Sequence, residues 1–192
     1  MSNFKITSPN PASDFPSLSN HLSKKSRFKI IPSVYLLLFN NTNNQILLSK
    51  RFNTGFMDGY WSLPAGHVEQ NETIFEAIIR ESKEEINLDI QENQLNLFQL
   101  RHHTDESRFN FYFSCKATNF GKITNNEPNK CSELRWFDVY NLPQKTINSV
   151  KNVIINFRNT LKYNHQSNYN NIYTFTDMSE STFNQKTTVQ TR

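Results

Sequence analysis

The chain has 192 residues, of which 36% are hydrophobic, 20% are charged and 13% are aromatic, and this composition suits one globular domain with residues left for flexible ends. Its 21 Lys and Arg residues stand against 17 Asp and Glu residues and are spread along the chain, so the charge implies no DNA partner and only weakly supports an RNA partner. The two cysteines are too few for a disulfide framework and favour a reducing, cytoplasmic setting.

No segment of the chain predicts a membrane-spanning helix. The longest apolar run, residues 30–39, has about half of the ~20 residues that such a helix needs. Residues 1–26 lack an apolar central stretch, so we expect no secretory signal there. Residues 1–26 and 164–192 are polar and without period, and both are predicted to be flexible segments that flank a folded domain at residues 27–163.

Within this domain the hydrophobic period changes between that of a strand and that of a helix. Strand patterns occur at residues 30–39, 45–50, 109–115 and 134–139. Helical patterns occur at residues 73–86 and 147–157. The first strand is apolar on both faces, as expected for a buried strand. The order of these patterns predicts an α/β fold in which a mixed β-sheet is sandwiched between α-helices, an α/β/α sandwich.

The predicted helix at residues 73–86 has an apolar side and a separate acidic side. At about 100° per residue, the apolar stripe consists of Phe75, Ile78, Ile79 and Ile86. The acidic arc consists of Glu81, Glu84 and Glu85. Arg80 lies beside this arc. Glu76 stands four residues before Arg80, a spacing that predicts an ion pair between the two.

The clustering of three carboxylates is unfavourable for an isolated helix. A like-charge pair such as Glu81 and Glu85 costs about 0.2–0.5 kcal/mol, and the negative end of the helix dipole adds to the repulsion. Closely spaced carboxylate oxygens are ligands that suit Mg²⁺ or Mn²⁺. Glutamates at the same spacing are also common on helix faces that simply contact solvent. The helix alone therefore leaves two interpretations open, a metal site and a solvated face.

A longer pattern, GHVEQNETIFEAIIRESKEEINL, runs from Gly66 to Leu88. It places Glu72 after five intervening residues and Arg80-Glu81 after seven more, and it closely resembles the signature of the Nudix hydrolases. Every charged position of that signature is matched. Ser82 stands where the signature has an apolar residue. Asn87 replaces a glycine, and asparagine is the next-best residue for a left-handed helix end.

The flanking segments extend the resemblance to residues 30–143. WSLPAG at 61–66 is similar to the strand-and-loop lead-in of the family signature, with Ala65 where a second glycine is common. Three downstream segments resemble small bacterial-type, MutT-like Nudix proteins: NEPNKC at 126–131, LRWF at 134–137 and Leu142-Pro143. The resemblance implies the Nudix fold, a mixed sheet between helices with a loop–helix–loop metal site.

The resemblance also implies an activity, the metal-dependent hydrolysis of the pyrophosphate bond in a nucleoside diphosphate linked to another group. A nucleoside triphosphate or a related small nucleotide is the expected substrate. Mg²⁺, or Mn²⁺ in its place, would be held by Glu81, Glu84 and Glu85, with the carbonyl oxygen of Gly66 as a further ligand. Arg80 would orient the glutamates. A helix glutamate or a loop carboxylate would activate the attacking water.

Several other residues are weaker candidates. Glu72 falls at the predicted helix start, where a carboxylate can cap free N–H groups, so we expect a structural role for it. Arg101, His102 and His103 precede the Phe-rich strand, and contact with substrate competes there with an ordinary surface role. Glu127 lies in a loop from which it could complete the metal site.

The alternative function is that of a non-catalytic Nudix module that binds nucleotide or RNA as a sensor or scaffold. Such modules usually lose glutamates of the signature, whereas this chain retains all of them. The cationic residues form no concentrated stripe of the kind that favours RNA binding. The sequence therefore favours a Nudix pyrophosphohydrolase, an enzyme that acts on acid anhydrides in phosphorus-containing compounds.

Overall fold

The computed structural model describes residues 28–117, 121–164 and 174–178. The helices and strands in chain order are β1 (Ile31–Asn40), β2 (Gln45–Arg51), β3 (Trp61–Ser62), β4 (Ala65–His67), α1 (Ile74–Ile86), β5 (Asn96–His103), β6 (Arg108–Lys116), β7 (Cys131–Asp138), α2 (Asn148–Asn164) and β8 (Thr174–Met178). A 3₁₀ helix, Glu92–Gln94, precedes β5. Of the two helices described, neither is long and apolar enough to cross a membrane.

The strands of the described residues form one mixed sheet in the order β3-β2-β1-β6-β5-β8, with β4 paired to β1 and β7 paired to β2. Strand β1 pairs in parallel with β6 and antiparallel with β2 and β4. Its side chains alternate between two apolar cores. Val34, Leu36 and Leu38 belong to the core that includes α1, whereas Leu37 and Phe39 belong to the core that includes α2. The sheet therefore lies between the two helices, which confirms the predicted α/β/α sandwich.

Three strands have no counterpart in the sequence prediction, namely β4, β5 and β8, whereas β3 lies at the start of the strand-and-loop lead-in that the resemblance implies for residues 61–66. Strands β3 and β4 are two and three residues long and lie in the stretch rich in Gly and Pro. Strand β5 pairs antiparallel with β6, and β8 pairs in parallel with β5. Strand β8 belongs to residues 164–192, which the sequence predicts as a flexible tail, whereas the predicted flexible residues 1–26 lie outside the described part of the chain.

The two ends of α1 are fixed by its own side chains and backbone. The Thr73 hydroxyl accepts a hydrogen bond from the Glu76 N–H at 3.1 Å, and the Glu76 carboxylate accepts one from the Thr73 N–H at 2.8 Å, which together form a capping box. At the other end Asn87 has the left-handed conformation, φ 54° and ψ 38°, that the sequence predicts. The predicted ion pair between Glu76 and Arg80 is wrong, because Glu76 folds back onto Thr73 and Arg80 contacts other carboxylates.

Candidate active site

The acidic side of α1 packs against the backbone of β4. The Ala65 N–H donates a hydrogen bond to Oε2 of Glu85 at 3.0 Å. Gly66 lies so close to Glu81 that a Cβ atom on residue 66 would overlap the Glu81 carboxylate. Only a residue without a side chain lets the carboxylate approach the strand this closely. The glycine of the signature therefore sets the spacing between β4 and the glutamates.

Arg80 donates hydrogen bonds to four groups near the contact between α1 and β4, namely three carboxylates and one backbone carbonyl oxygen. Its Nε and Nη2 atoms donate to the two oxygens of Glu72 at 2.8 and 3.0 Å. Its Nη1 atom donates to Oε1 of Glu81 at 2.7 Å and to Oε2 of Glu84 at 3.2 Å, and Nη2 also donates to the His67 carbonyl oxygen at 3.0 Å. These bonds, first the one to Glu72, raise the pKa of Arg80 further above its usual range. The guanidinium group therefore holds Glu81 and Glu84 in place by charge-assisted hydrogen bonds.

Glu72 does not cap the helix, so this part of the sequence prediction is wrong. The N-cap is Thr73, and Glu72 faces Arg80 instead. The hydrogen bond from Arg80 lowers the pKa of the Glu72 carboxyl group, and a further bond from the Glu69 N–H acts in the same direction. Glu72 thus pairs with the arginine that also contacts Glu81 and Glu84.

A loop at residues 121–130 closes the carbonyl end of α1. The N–H groups of Thr124 and Asn126 donate to the carbonyl oxygens of Ile86 and Glu85 at 3.1 and 3.0 Å. These bonds satisfy backbone acceptors that a helix end leaves free. They also bring the next residue, Glu127, to the acidic side of the helix.

Burial and neighbouring negative charges raise the pKa values of two carboxyl groups at this place, those of Glu81 and Glu85. Desolvation and then the negative charge of Glu81 raise the pKa of Glu85 to about 8. Desolvation also raises the pKa of Glu81, although Arg80 opposes the shift. The charge of Glu127 adds to both increases. Carboxyl groups that are kept close together at this cost are characteristic of functional sites.

These residues line a cavity of about 490 Å³, here termed the glutamate cavity. Its walls include Arg51, Gly66, Arg80, Glu81, Glu84, Glu85, Glu127 and Lys130. In the described ranges, no three His, Cys, Asp or Glu side chains are already grouped as the ligands of one ion. Arg80 donates hydrogen bonds to Glu81 and Glu84, and the Ala65 N–H donates one to Glu85.

The other predicted candidates have different positions. Arg101 is only 3% exposed, and its Nη1 atom donates to the Ser149 carbonyl oxygen at 3.3 Å, so it is neither a surface residue nor part of the glutamate cavity. The ring of His102 packs on that of Phe109, with centroids 4.5 Å apart. His103 lines a neighbouring cavity. Of the candidates outside the signature, the structure thus brings Glu127 to the glutamates.

Two cations at the glutamate cavity are absent from the sequence prediction. Lys130 pairs with Glu127 at 2.7 Å, and the spacing of three residues between them is a signal that could have indicated this pair. Arg51 is held in its own loop, where its Nε atom donates to the Phe56 carbonyl oxygen at 2.7 Å and its Nη2 atom to the Thr54 hydroxyl at 3.0 Å. No spacing in the sequence connects Arg51 with the glutamates, because sheet pairing brings them together.

The fold and the site define an α/β/α sandwich with a carboxylate-lined cavity between a short strand and the glutamate-bearing face of a helix. The family model of the NUDIX domain matches residues 29–157, which is more than half of the chain. The chain therefore belongs to the Nudix family, as the signature predicts.

Three relatives match part of this region. An ADP-ribose pyrophosphatase from Methanocaldococcus jannaschii is 45% identical over 65 residues, 34% of this chain and 38% of that protein. An RNA pyrophosphohydrolase from Wolbachia pipientis is 40% identical over 58 residues, 30% and 33% of the two chains. An 8-oxo-dGTP diphosphatase from Proteus vulgaris is 38% identical over 48 residues, which are 25% of this chain and 43% of that protein. The matches thus span between 33% and 43% of these curated relatives.

Solved structures share the fold over a longer range. A MutT Nudix hydrolase from Burkholderia pseudomallei has a TM-score of 0.59 and 24% identity, over 66% of this chain and 97% of that one. A MutT/Nudix family protein from Enterococcus faecalis has a TM-score of 0.59 and 18% identity, over 73% of this chain and 66% of that one. These similarities confirm the Nudix fold that the sequence predicts.

Proposed function

We propose that this chain is a pyrophosphohydrolase that uses divalent metal ions, Mg²⁺ or Mn²⁺, to hydrolyse the pyrophosphate bond of a nucleoside diphosphate linked to another group. The observation that supports this most strongly is the glutamate cavity, where Glu81, Glu84 and Glu85 meet Glu127. The three relatives carry the names of a pyrophosphatase, a pyrophosphohydrolase and a diphosphatase, so their common activity belongs to this class.

The residues of the glutamate cavity fit a divalent cation. They offer carboxylate oxygens, which Mg²⁺ and Mn²⁺ prefer as ligands. Burial, and then the negative charges of Glu81 and Glu127, raise the pKa of Glu85 to about 8, and a cation beside it would offset that negative charge. Glu81, Glu84, Glu85 and the Gly66 carbonyl oxygen would hold the ion. When bound, it polarises phosphoryl oxygens and lowers the pKa of the attacking water.

The remaining residues bind and orient the reacting groups. Arg51 and Lys130 supply positive charge at the same cavity and face a substrate that carries several negative charges. Arg80 keeps Glu81 and Glu84 in position. The Glu84 side chain is 53% exposed and that of Glu81 only 14%, so Glu84 is the better placed of the two to accept a proton from water.

A nucleotide panel tests this proposal. Product formation is followed by ion-exchange chromatography for nucleoside triphosphates, ADP-ribose, dinucleoside polyphosphates and 5′-triphosphorylated RNA, with Mg²⁺, with Mn²⁺ and with EDTA. A triphosphate gives a monophosphate and pyrophosphate, whereas ADP-ribose gives AMP and ribose 5-phosphate and a dinucleoside polyphosphate gives two nucleotides. We expect metal-dependent turnover of at least one compound. Because Glu84→Gln and Glu85→Gln each remove one ligand charge, each should reduce kcat by about 100-fold or more.

Glu92→Gln is the matched control, because Glu92 is exposed on the 3₁₀ helix and lies outside the glutamate cavity. Its kcat should equal that of the wild type. The proposal is wrong if Glu84→Gln and Glu85→Gln turn over at the wild-type rate. Tight nucleotide binding without any turnover would instead identify a non-catalytic module, and a comparison of Glu127→Gln with Glu84→Gln assigns the carboxylate that activates water.

A further inference from the structure

The loop between β2 and β3, residues 52–60, folds around the carboxylate of Asp58 and is here termed the Asp58 loop. The Oδ1 atom of Asp58 accepts hydrogen bonds from the Thr54 N–H at 3.0 Å and from the Thr54 hydroxyl at 2.7 Å. Its Oδ2 atom accepts a further bond from the Gly55 N–H at 3.2 Å. These bonds, first the one from the Thr54 hydroxyl, lower the pKa of Asp58, so the carboxylate stays charged at neutral pH.

The backbone of the Asp58 loop is tightly bent. Four of its residues have a positive φ, namely Asn53 at 54°, Gly55 at 75°, Met57 at 50° and Gly59 at 81°. A residue with a Cβ atom adopts this conformation only at a cost in energy, and such conformations persist where surrounding bonds hold them. The loop closes on Arg51, whose carbonyl oxygen accepts a hydrogen bond from the Gly59 N–H at 2.8 Å. The bonds to the carboxylate therefore hold a strained loop in one shape beside this arginine.

The Thr54 hydroxyl connects Asp58 with Arg51. A hydroxyl has a single proton, and the shortest contact of this one is to the Asp58 carboxylate, so its oxygen is left as an acceptor for other groups. The Nη2 atom of Arg51 donates to this oxygen at 3.0 Å, and Nε donates to the Phe56 carbonyl oxygen at 2.7 Å. Because the guanidinium group is planar, two bonds from different nitrogens fix its orientation.

The remaining terminal nitrogen of Arg51, Nη1, donates no hydrogen bond within the described residues. It is not among the buried polar atoms that lack a partner in these residues, so it contacts solvent and a ligand can reach it. Arg51 lines the glutamate cavity. The guanidinium group thus has two nitrogens fixed by the loop and a third that is available to a ligand in that cavity.

Arg51 differs from the other Lys and Arg side chains that line the glutamate cavity. Arg80 is paired with three glutamates, and Lys130 is paired with Glu127. Arg51 instead donates to a hydroxyl and to a backbone carbonyl oxygen, which are both neutral, while the Asp58 carboxylate bonds to Thr54 and Gly55. Its charge is therefore the one that a phosphate group can pair with, without displacing a carboxylate.

We propose, on the basis of the function proposed above, that Thr54 and Asp58 are positioning residues, which hold the Arg51 guanidinium so that it binds phosphate oxygens of the substrate. Asp58 orients the Thr54 hydroxyl, the hydroxyl orients Arg51, and Nη1 of Arg51 donates to the phosphate. A lysine at position 51 would keep the charge, but its single nitrogen cannot bond to the loop and to a phosphate with the same geometry. The affinity for phosphate therefore depends on the Asp58 loop as well as on the charge of residue 51.

Binding of methylenediphosphonate, a pyrophosphate analogue without a hydrolysable bond, tests this inference without any turnover. Titration calorimetry in the presence of Mg²⁺ compares the wild type with Asp58→Ala and with Thr54→Val, which removes the hydroxyl and keeps the shape of the side chain. We expect each variant to bind the analogue about 5-fold or more weakly, because the loss of a hydrogen bond to a charged group has an effect of this size. Arg51→Lys should bind it at least as weakly as Thr54→Val does, although the charge is kept.

Thr42→Val is the matched control, because Thr42 is exposed in the turn between β1 and β2 and lies outside the glutamate cavity. It makes the same chemical change and should keep the wild-type affinity. Thr54→Ser retains the hydroxyl and should restore the affinity to within about 2-fold of the wild type. If Asp58→Ala fails to fold, Thr54→Val and Thr54→Ser decide, since Thr54 is exposed and each of these variants changes one small group.

Steady-state kinetics on the substrate identified by the nucleotide panel separates positioning from a merely structural role. A phosphate contact exists before the reaction begins, so Thr54→Val should raise KM by about 5-fold and change kcat by less than about 2-fold. Glu84→Gln should instead lower kcat. A loop that only supports the fold would lower the melting temperature of Thr54→Val and leave KM unchanged, which would contradict the inference.

The inference is also overturned if the wild type does not bind methylenediphosphonate, if Thr54→Val and Asp58→Ala bind it as the wild type does, or if Thr54→Ser binds it as weakly as Thr54→Val. Its failure is distinguishable from that of the proposed function. Metal-dependent hydrolysis with wild-type affinity in both loop variants leaves the function standing and removes the inference. Binding of the analogue that depends on the Thr54 hydroxyl, without hydrolysis of any nucleotide, leaves the inference standing and removes the function.

Discussion

At the scale of single residues, the position of Gly66 determines whether Glu81 can occupy its place. A Cβ atom on residue 66 would overlap the Glu81 carboxylate, which Arg80 holds at 2.7 Å. Gly66→Ala must therefore displace either the carboxylate or β4. A displacement of about 1 Å near reacting groups can reduce a rate by about 100-fold, so we expect a fall of that order in kcat/KM. Steady-state kinetics on the substrate identified by the nucleotide panel measures it.

Gly121→Ala is the control for this substitution, because nothing lies within 4 Å of a Cβ atom built on Gly121. It makes the same chemical change in open space, and its kcat/KM should stay at the wild-type value. Equal activity of Gly66→Ala and Gly121→Ala would show that Glu81 does not depend on the close approach.

The residues that could be predicted from the sequence are those that one helix places together. Glu81, Glu84 and Arg80 lie within about one helical turn, so their proximity follows from the helix period. Ser33 and Asn110 belong to strands far apart in the chain, and their contact depends on the register of a parallel pairing that no local pattern contains. The Glu76–Arg80 pair failed because a capping box, which the Thr-x-x-Glu spacing could have indicated, is a stronger use of Glu76.

At the scale of elements, the C-terminal end of α1 depends on Asn87. Its positive φ allows the Asn87 N–H to donate to the Lys83 carbonyl oxygen and the Leu88 N–H to the Ser82 carbonyl oxygen. A residue with an ordinary Cβ loses about 1–2 kcal/mol in this conformation, whereas asparagine and glycine adopt it readily. Asn87→Ala should therefore lower the free energy of unfolding by about 1 kcal/mol, and Asn87→Gly should change it by less than about 0.5 kcal/mol.

Urea denaturation of both variants and of Asn93→Ala measures this difference. Asn93 is an exposed asparagine in the 3₁₀ helix without a positive φ, so its substitution should change the stability only slightly. An Asn87→Ala variant as stable as Asn87→Gly would show that the left-handed helix end does not contribute to stability.

The elements that the sequence did not predict are those with a weak or absent period. Strand β5, Asn96–His103, mixes polar residues into both faces, and a register shift between Leu97 and Gln99 interrupts its alternation. Strands β3 and β4 are too short to show a period, yet β4 carries the Ala65 and Gly66 contacts to the glutamates. Strand β4, which positions the glutamates, is therefore also one of the strands that the sequence pattern does not predict.

At the scale of the whole molecule, the two faces of the sheet differ in the buried residues that pack on them. The core on the α1 side consists of apolar residues together with the buried Ser82, whose hydroxyl donates to the Ile78 carbonyl oxygen within the helix. The α2 face combines apolar residues with buried polar ones, among them Ser33, Arg101 and Asn110. Buried polar atoms without a hydrogen-bond partner lower the stability at that place.

The whole core also determines how the protein responds to alkaline pH. Burial raises the pKa of the Cys115 thiol from 9.0 to about 11, and burial likewise raises the pKa of the Tyr112 phenol. The unfolded chain therefore releases these protons at a lower pH than the folded chain, so the stability is fully present below pH 8 and is lost as the pH rises from 9 towards 11. Cys115, which is 3% exposed, should alone account for a loss of about 1.4 kcal/mol between pH 7.5 and 10.

Denaturant unfolding at pH 7.5 and pH 10 measures this loss in the wild type and in Cys115→Ala. The variant lacks packing contacts of the thiol and starts from a lower stability, so the quantity to compare is the difference between the two pH values. Because alanine has no proton to release, that difference should be about 1.4 kcal/mol smaller in the variant, while Cys131 and the tyrosines contribute equally to both proteins. The same pH difference in both proteins would contradict the raised pKa of Cys115 and show that its thiolate is tolerated within the apolar core on the α1 side of the sheet.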